Sequence, residues 1–276
     1  MKVINAGVQE IKQAPGIIGI YQHIEKCGRT CYKSEDKITE DSAMKFFQGL
    51  VNRNHFAMLE HGTVYLKLPL PYKYGYRNFS DLYKVIDSNY SFLHEVNRYL
   101  YVTTNMRVLV ENMPNEYEDI LRKFALEEAD ANHIKRVTAK FTISRGIANE
   151  FVRHRVLSFA QESTRYCNYS KDKFGGELTF IHPEWLKGEG IDHEAEEVWL
   201  NAMARSEKDY LDLVELGVKP QNARGVLPLD LKTELVITGT LDQWEAFFDL
   251  RMGEITGPAH PDAKAIATEW YNILSS

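Results

Sequence analysis

Cysteine is scarce: Cys27, Cys31 and Cys167 are the only ones in 276 residues. An odd, sparse set does not build the disulfide framework of a small secreted domain. Cys27 and Cys31 are spaced CxxxC with no second pair nearby. A structural zinc takes about four ligands, so no metal site is expected. Long apolar runs are also missing, none approaching the ~20 residues of a membrane span. The opening, MKVINAGVQEIKQAPG, has neither the apolar core nor the small-residue cleavage site of a signal peptide. The expectation is a soluble cytoplasmic protein with no membrane partner. Excess positive charge is absent too, the net charge being -6. A global electrostatic grip on nucleic acid is therefore not expected, and any anion site must be local. Repeats, low-complexity tracts and Gly/Ser-rich linkers do not occur. Hydrophobic residues at 44% and charged residues at 26% are ordinary globular proportions. The length suits one large domain, 1–276.

Along the chain, MKVINAGVQEI reads as a strand and IGIYQHIEKCGRTCYKS as a helix opening into a loop. TEDSAMKFFQGLVNRN reads as a helix capped by Thr39 or Asp41. HFAMLEH follows, and TVYLKLPL then alternates as a half-buried strand does. Residues 70–135 are less patterned, with helical readings for FSDLYKVIDSNYSFLHEVNRYLYV and TTNMRVLVENM. KRVTAKFTISRG is a strand candidate, and IANEFVRHRV a short helix burying Ile147, Phe151 and Val152. DHEAEEVWLNAMARSEKDYLDLVELGV is the strongest helical pattern, stopped by Gly217 and Pro220. A strand TELVITGT and two helices, LDQWEAFFDLR and DAKAIATEWYNIL, complete an α+β reading.

The chemistry concentrates in RHRVLSFAQESTRY, residues 153–166. Guanidinium groups offer planar forks of donors that suit phosphate. Arg153 and Arg155 are two apart and diverge on an ideal helix, so one shared site requires the helix to end and the chain to turn. Ser163, Thr164 and Arg165 then suit an oxyanion or phosphate cradle. The alternative is a solvated helix end in which the arginines pair with Glu150 and Glu162. His154, flanked by like charges, is expected to resist protonation.

Arg153-His154-Arg155 followed by seven residues and Ser163, then Thr164-Arg165-Tyr166, resembles the motif of the flavin-dependent thymidylate synthases. HFAMLEH, ARGVLPLDL with Arg224, FFDLR ending in Arg251, and AHPDAKAIA resemble further segments of that family, in the same order. The likeness covers roughly residues 27–67 and 135–275, with about 70–135 read as a family-variable insertion.

The resemblance implies an α+β fold, a sheet flanked by long helices, assembled as a homotetramer whose active sites are shared between chains. It implies reductive methylation of dUMP to dTMP, with methylenetetrahydrofolate as carbon donor, FAD as hydride carrier and NADPH as its reductant. Arg153, His154, Arg155, Gln161 and Ala57 would contact FAD. Glu150, Arg153, Gln161, Glu162, Ser163, Thr164 and Arg165 would hold dUMP, the loop from Gln161 to Arg165 cradling its phosphate with backbone N–H groups. Arg224 would reach the nucleotide from another chain. Arg251 would be the catalytic residue, stabilising negative charge on the activated pyrimidine. Departures from the family pattern are Glu150 for Gln, Gln161 for Glu, Ala160 for Asn, Ala57 for a hydroxyl residue and His260 for Gln. Thr240, Asp242 and Ala246 also differ from the family's late FAD contacts. None of the three cysteines sits in a nucleophile-like setting, so they are read as packing. A non-catalytic nucleotide- or RNA-binding protein is the competing class, and bound flavin disfavours both binding alternatives.

Overall fold

In the computed structural model, residues 1–70, 82–171, 176–188, 190–253, 255 and 257–276 are described. The opening segment, expected as one strand, is two. β1 (Lys2–Ile4) and β2 (Gly7–Glu10) enter different sheets. α1 (Gly16–Tyr32) starts at Gly16, whose φ of 74° is the left-handed conformation that glycine tolerates without a Cβ clash. It buries Ile20, Ile24, Cys27 and Cys31 at three- and four-residue spacing, one apolar stripe. α2 (Ser42–Asn52) packs beside it. The expected caps on α2 are not used: Asp41 precedes the helix, but its side chain makes no capping hydrogen bond. Instead the Ser42 hydroxyl accepts from the Thr39 N–H at 2.9 Å and donates to buried Glu25 at 2.7 Å.

The tyrosine-rich stretch is a correction. Among its described residues only α3 (Leu82–Ile86) is helical; β4 (Phe92–Val96) and β5 (Tyr99–Asn105) form a hairpin. Asn97, at φ 56°, supplies the left-handed position of its two-residue turn. β5 is the middle strand of a three-stranded antiparallel sheet, between β3 (Thr63–Pro69) and β4. Asn105 caps α4 (Met106–Asn112), accepting from the Val108 N–H, and α5 (Tyr117–Phe124) follows. Val102, Leu109 and Ile120 share a core with Ile24, Phe47 and Leu59. The segment expected as an insertion thus supplies part of the interior, while its residues 71–81 lie outside the described residues.

The second sheet has the order β2-β6-β9-β7, antiparallel throughout. β6 (Arg136–Ser144) runs straight into α6 (Arg145–Phe151), and β7 (Ser158–Gln161) follows after a turn. β8 (Thr179–Ile181) pairs with β1 under α7 (His193–Glu215), which buries Trp199 and Tyr210. Asp192 caps α7, its side chain accepting from the Glu194 and Ala195 N–H groups. The short α8 (Pro220–Ala223) precedes β9 (Lys232–Thr240), α9 (Leu241–Arg251) and the terminal α10 (Pro261–Ser275). Phe141, Phe151, Trp244, Phe247 and Trp270 make an aromatic core on one side of this sheet, between it and α6, α9 and α10. Ile11, Cys27, Cys31, Ala160 and Val236 pack together where α1 meets β7 and β9. Helices therefore flank the sheet, and the α+β class holds.

A buried polar chain ties α1 and the 3-10 turn Phe56–His61 to the four-stranded sheet. His23 Nε2 shares a hydrogen bond with Thr138 Oγ1 (3.0 Å), Thr138 with Thr238 (2.8 Å), and Thr238 with His61 Nδ1 (2.8 Å). Arg136 donates to the Glu60 carbonyl, Thr63 and Ser158, fastening the 3-10 turn Phe56–His61 to β7. Burial, with Arg136 nearby, lowers the pKa of His23 to about 4. Burial, with His23 and Arg136 nearby, lowers that of His61 to about 3. Below the ordinary histidine pKa near 6.5 the unfolded chain takes up protons that the fold refuses, so stability is lost as pH falls. Glu234, held near 2 by surrounding lysines against the opposing effect of burial, contributes its loss only below about 4.5. The melting temperature should therefore fall between pH 6.5 and 4.5 through the histidines alone. His61→Asn should flatten that window, and an unchanged profile in a pH-resolved melt would refute the assignment.

Candidate active site

α6 ends sooner than the sequence suggests. Ser144 caps it by accepting from the Ile147 N–H, and Ile147, Ala148 and Phe151 face the aromatic core. The helix stops at Phe151, and Val152, expected inside, is exposed. Arg153, His154 and Arg155 follow in the turn, with both arginines exposed. That is the condition under which the two arginines can serve one site.

Arg251, at the end of α9, reaches back to this turn. Its Nε donates to His154 Nε2 at 2.9 Å, Nη1 to Glu150 Oε2 at 2.9 Å, and Nη2 to the Glu150 carbonyl at 2.7 Å. Phe247, one turn earlier on α9, packs its ring 4.9 Å from the His154 ring. Since Arg251 must donate, His154 Nε2 is an acceptor, and the neutral imidazole carries its proton on Nδ1. Burial first, and Arg251 second, lower the His154 pKa to about 4. The expected resistance to protonation is present, but its causes are burial and Arg251 rather than the flanking arginines. A guanidinium has five N–H donors; three are engaged here, leaving two for a ligand.

The loop after β7 differs from the expected amide cradle. The Glu162 N–H donates to the Glu234 carbonyl and the Ser163 N–H to the Cys31 carbonyl. These amides are engaged within the fold because the loop is stitched to β9 and α1. Glu162 itself, 2% exposed, accepts from Lys232 at 2.8 Å and from the Tyr169 hydroxyl at 3.1 Å. It braces the loop from beneath. Gln161 ends β7, its amide 3.5 Å from Thr233 Oγ1. Ser163 Oγ accepts from the Arg165 N–H, and the exposed Arg165 guanidinium lies 5.5 Å from the Tyr166 ring centre. Thr164 Oγ1 accepts from Arg224 Nη1 at 3.2 Å. Arg224 thus meets this loop within one chain.

Ala57 lies elsewhere, in a cavity of about 420 Å³ beside Tyr32, His55 and Phe56. An adjoining cavity of about 610 Å³ shares Tyr32 and His55 and adds Arg29, Lys37, Lys45 and Arg53. The Tyr32 and Tyr166 ring centres are 5.3 Å apart, so the motif's last residue meets this cleft. Sequence reasoning missed these basic residues, and also Lys232 and Tyr169. No local spacing relates residues 29–53 to 166, or 162 to 232. All three cysteines are buried, and burial raises the thiol pKa of Cys27 and, to about 12, that of Cys31. That is the behaviour of packing residues. Among the described residues no cluster of His, Cys, Asp or Glu could hold a metal ion, and no helix is long and apolar enough to cross a membrane.

The family model of the thymidylate synthase complementing proteins matches residues 102–276, the motif, Arg224 and Arg251 included. The chain belongs to this family. Relatives called flavin-dependent thymidylate synthase include that of Pyrococcus abyssi, 34% identical over 124 residues, which is 44% of this chain and 49% of that protein. The Pyrococcus horikoshii protein is 33% identical over 144 residues, 51% of this chain and 57% of its own. That of Geobacter sulfurreducens is 30% identical over 133 residues, 48% and 53% respectively. The chain thus spans about half the length of the curated relatives it matches. Among solved structures, the UMP/dUMP methylase PolB from Streptomyces cacaoi bound with 5-Br dUMP aligns with a TM-score of 0.48 at 14% identity, covering 100% of this chain and 92% of that one. The thymidylate synthase complementing protein match begins inside β5, so it takes in the second half of the segment read as an insertion.

Proposed function

We propose that this protein is a flavin-dependent thymidylate synthase that converts dUMP to dTMP, with methylenetetrahydrofolate as carbon donor and NADPH as reductant. The observation that carries the reading is Arg251, held by Glu150 and His154 at the turn that bears the family motif. Three fixed hydrogen bonds orient its guanidinium before any ligand arrives. A preoriented cation of this kind stabilises negative charge that develops on a pyrimidine ring as it is activated, with no reorganisation at the moment of reaction. Arg224, Thr164, Ser163 and Arg165 would grip the phosphate. Glu162 and Lys232 would keep the loop that carries them in place.

The chain's residues fit a flavin dinucleotide. The adjoining cavities offer aromatic walls from Tyr32, Phe46, Phe56 and Tyr166 for a planar ring, and cations from Arg29, Lys37, Lys45 and Arg53 for a diphosphate. Ala57 has no hydroxyl and would contribute backbone only. Arg153, His154, Arg155 and Gln161 would complete the contacts from the motif side. When bound, the reduced flavin would supply the hydride. The exposure of Arg153, Arg155 and Arg165 in the single chain supports a site completed by a neighbouring subunit, in a homotetramer.

The test is a visible spectrum of the protein with FAD, followed by anaerobic NADPH with and without dUMP. Flavin bleaching, then dTMP once methylenetetrahydrofolate is added, is the expected result; a protein that binds no flavin refutes the reading. A second measurement checks the loop. Arg165→Ala should weaken dUMP binding by about 1.5–3 kcal/mol, the scale of a charged hydrogen bond, and leave deoxyuridine binding nearly unchanged. Equal losses for both ligands in calorimetry would sink the phosphate role.

A further inference from the structure

Arg145 opens α6 and belongs to none of the motif segments. Its N–H donates to the Leu231 carbonyl and the Gly146 N–H to the Leu229 carbonyl, both at 3.0 Å. These bonds clamp the start of α6 to the stretch that follows Arg224. Between them lies an open cavity of about 240 Å³, lined by Arg145, Asn149, Thr164 and Arg224 and by Gly225, Leu227, Pro228 and Leu229. Arg145 and Asn149 are four apart and share a face of α6, away from the core face of Ile147 and Phe151. The two arginines come from different elements, Arg145 from α6 and Arg224 from the turn before β9, and no carboxylate lines the space. Among the described residues neither arginine makes an ion pair, and Arg145 Nη1 is buried with no hydrogen-bond partner.

A buried charged donor without an acceptor is costly. Native proteins keep such a group where a ligand, an ion or an ordered water supplies the missing acceptor. Two like charges facing one cavity add repulsion that a dianion removes. A phosphate monoester suits: its terminal oxygens accept from guanidinium forks, and the Thr164 hydroxyl and Asn149 amide add donors. The volume is below the roughly 300–1,000 Å³ of pockets that enclose whole drug-sized ligands. It fits a terminal anionic group, not an entire dinucleotide. We propose that Arg145 is a ligand of the substrate nucleotide's phosphate, gripping it together with Arg224 and Thr164. The identity of the nucleotide rests on the thymidylate synthase reading; the phosphate site rests on this cavity.

The test compares the FAD-loaded wild-type protein with Arg145→Met, which keeps an apolar stem of similar length, and Arg145→Lys. Each is titrated calorimetrically with dUMP, deoxyuridine and inorganic phosphate. Arg145→Met is expected to lose about 10- to 100-fold in dUMP affinity with deoxyuridine affinity unchanged, and inorganic phosphate should no longer compete with dUMP. Arg145→Lys should fall between, since an ammonium keeps the charge without the fork. Parallel losses for dUMP and deoxyuridine overturn the proposal, as do unchanged affinities or a loss confined to FAD retention. Should Arg145→Met fail to fold, Arg145→Lys decides: an unaltered ratio of dUMP to deoxyuridine affinity overturns it. Wild-type protein that binds inorganic phosphate through Arg145 but prefers another nucleotide to dUMP supports the phosphate site and removes the thymidylate synthase reading.

Discussion

Replacing Arg251 by alanine is expected to slow dTMP formation by about 10²- to 10³-fold, the range seen when one preorganised donor to a developing negative charge is removed. The loss should fall mainly on the single-turnover rate and less on dUMP affinity, because the charge that Arg251 opposes grows as the pyrimidine is activated. Its partners explain why the geometry matters. Glu150 supplies a carboxylate and a carbonyl, and His154 an imidazole nitrogen, so the guanidinium plane is set by three acceptors. Lysine is a single compact charge and cannot satisfy that set, so Arg251→Lys should recover little of the rate. The fold should survive either change, since the Glu150 side chain is 31% exposed and water can replace its partner. A single-turnover rate within threefold of wild type would refute the catalytic role.

Glu162→Ala is expected to cost about 3–5 kcal/mol of stability, the scale of breaking a buried ion pair from one side. The Glu162 carboxylate is 1% exposed and the Lys232 ammonium 16%. Without Glu162, the ammonium keeps, among the described residues, only the Glu234 carboxylate at 3.4 Å, which is already bonded to Lys33 and Lys140. The buried Tyr169 hydroxyl loses its acceptor as well. Urea unfolding measures the loss, and the ratio of dUMP to deoxyuridine affinity should fall along with it, because the loop that carries Ser163, Thr164 and Arg165 loses its brace. If stability barely changes while that ratio collapses, Glu162 faces the nucleotide, as the motif resemblance implies, and the bracing role is wrong.

The long periodic elements were legible from residues alone. α7, β9, α9 and α10 carry their own caps and periods: Asp192 before α7, the Thr240–Gln243 capping box before α9, and Pro261 at the first turn of α10. The tyrosine-rich stretch misled, because its apolar spacing satisfies a helix and a hairpin alike. The deciding residue, Asn97, reveals its left-handed turn only once β4 and β5 pair. The opening strand split for a related reason: β1 and β2 have different partners, β8 and β6, far along the chain.

The sequence by itself determined which residues could grip an anion, because arginine, serine and threonine carry their donors wherever they stand, and the motif spacing marked Arg153 to Arg165 as a unit. The tertiary structure alone decided what each of them faces. Arg251 meets Glu150 and His154 across about 100 residues, Glu162 turns inward to Lys232, and Arg145 joins Arg224 around one cavity. Local spacing sets a side chain's neighbours within a turn or a strand pair. Which charge is buried, paired or left open to a ligand is set only when helices and sheets pack and exclude water.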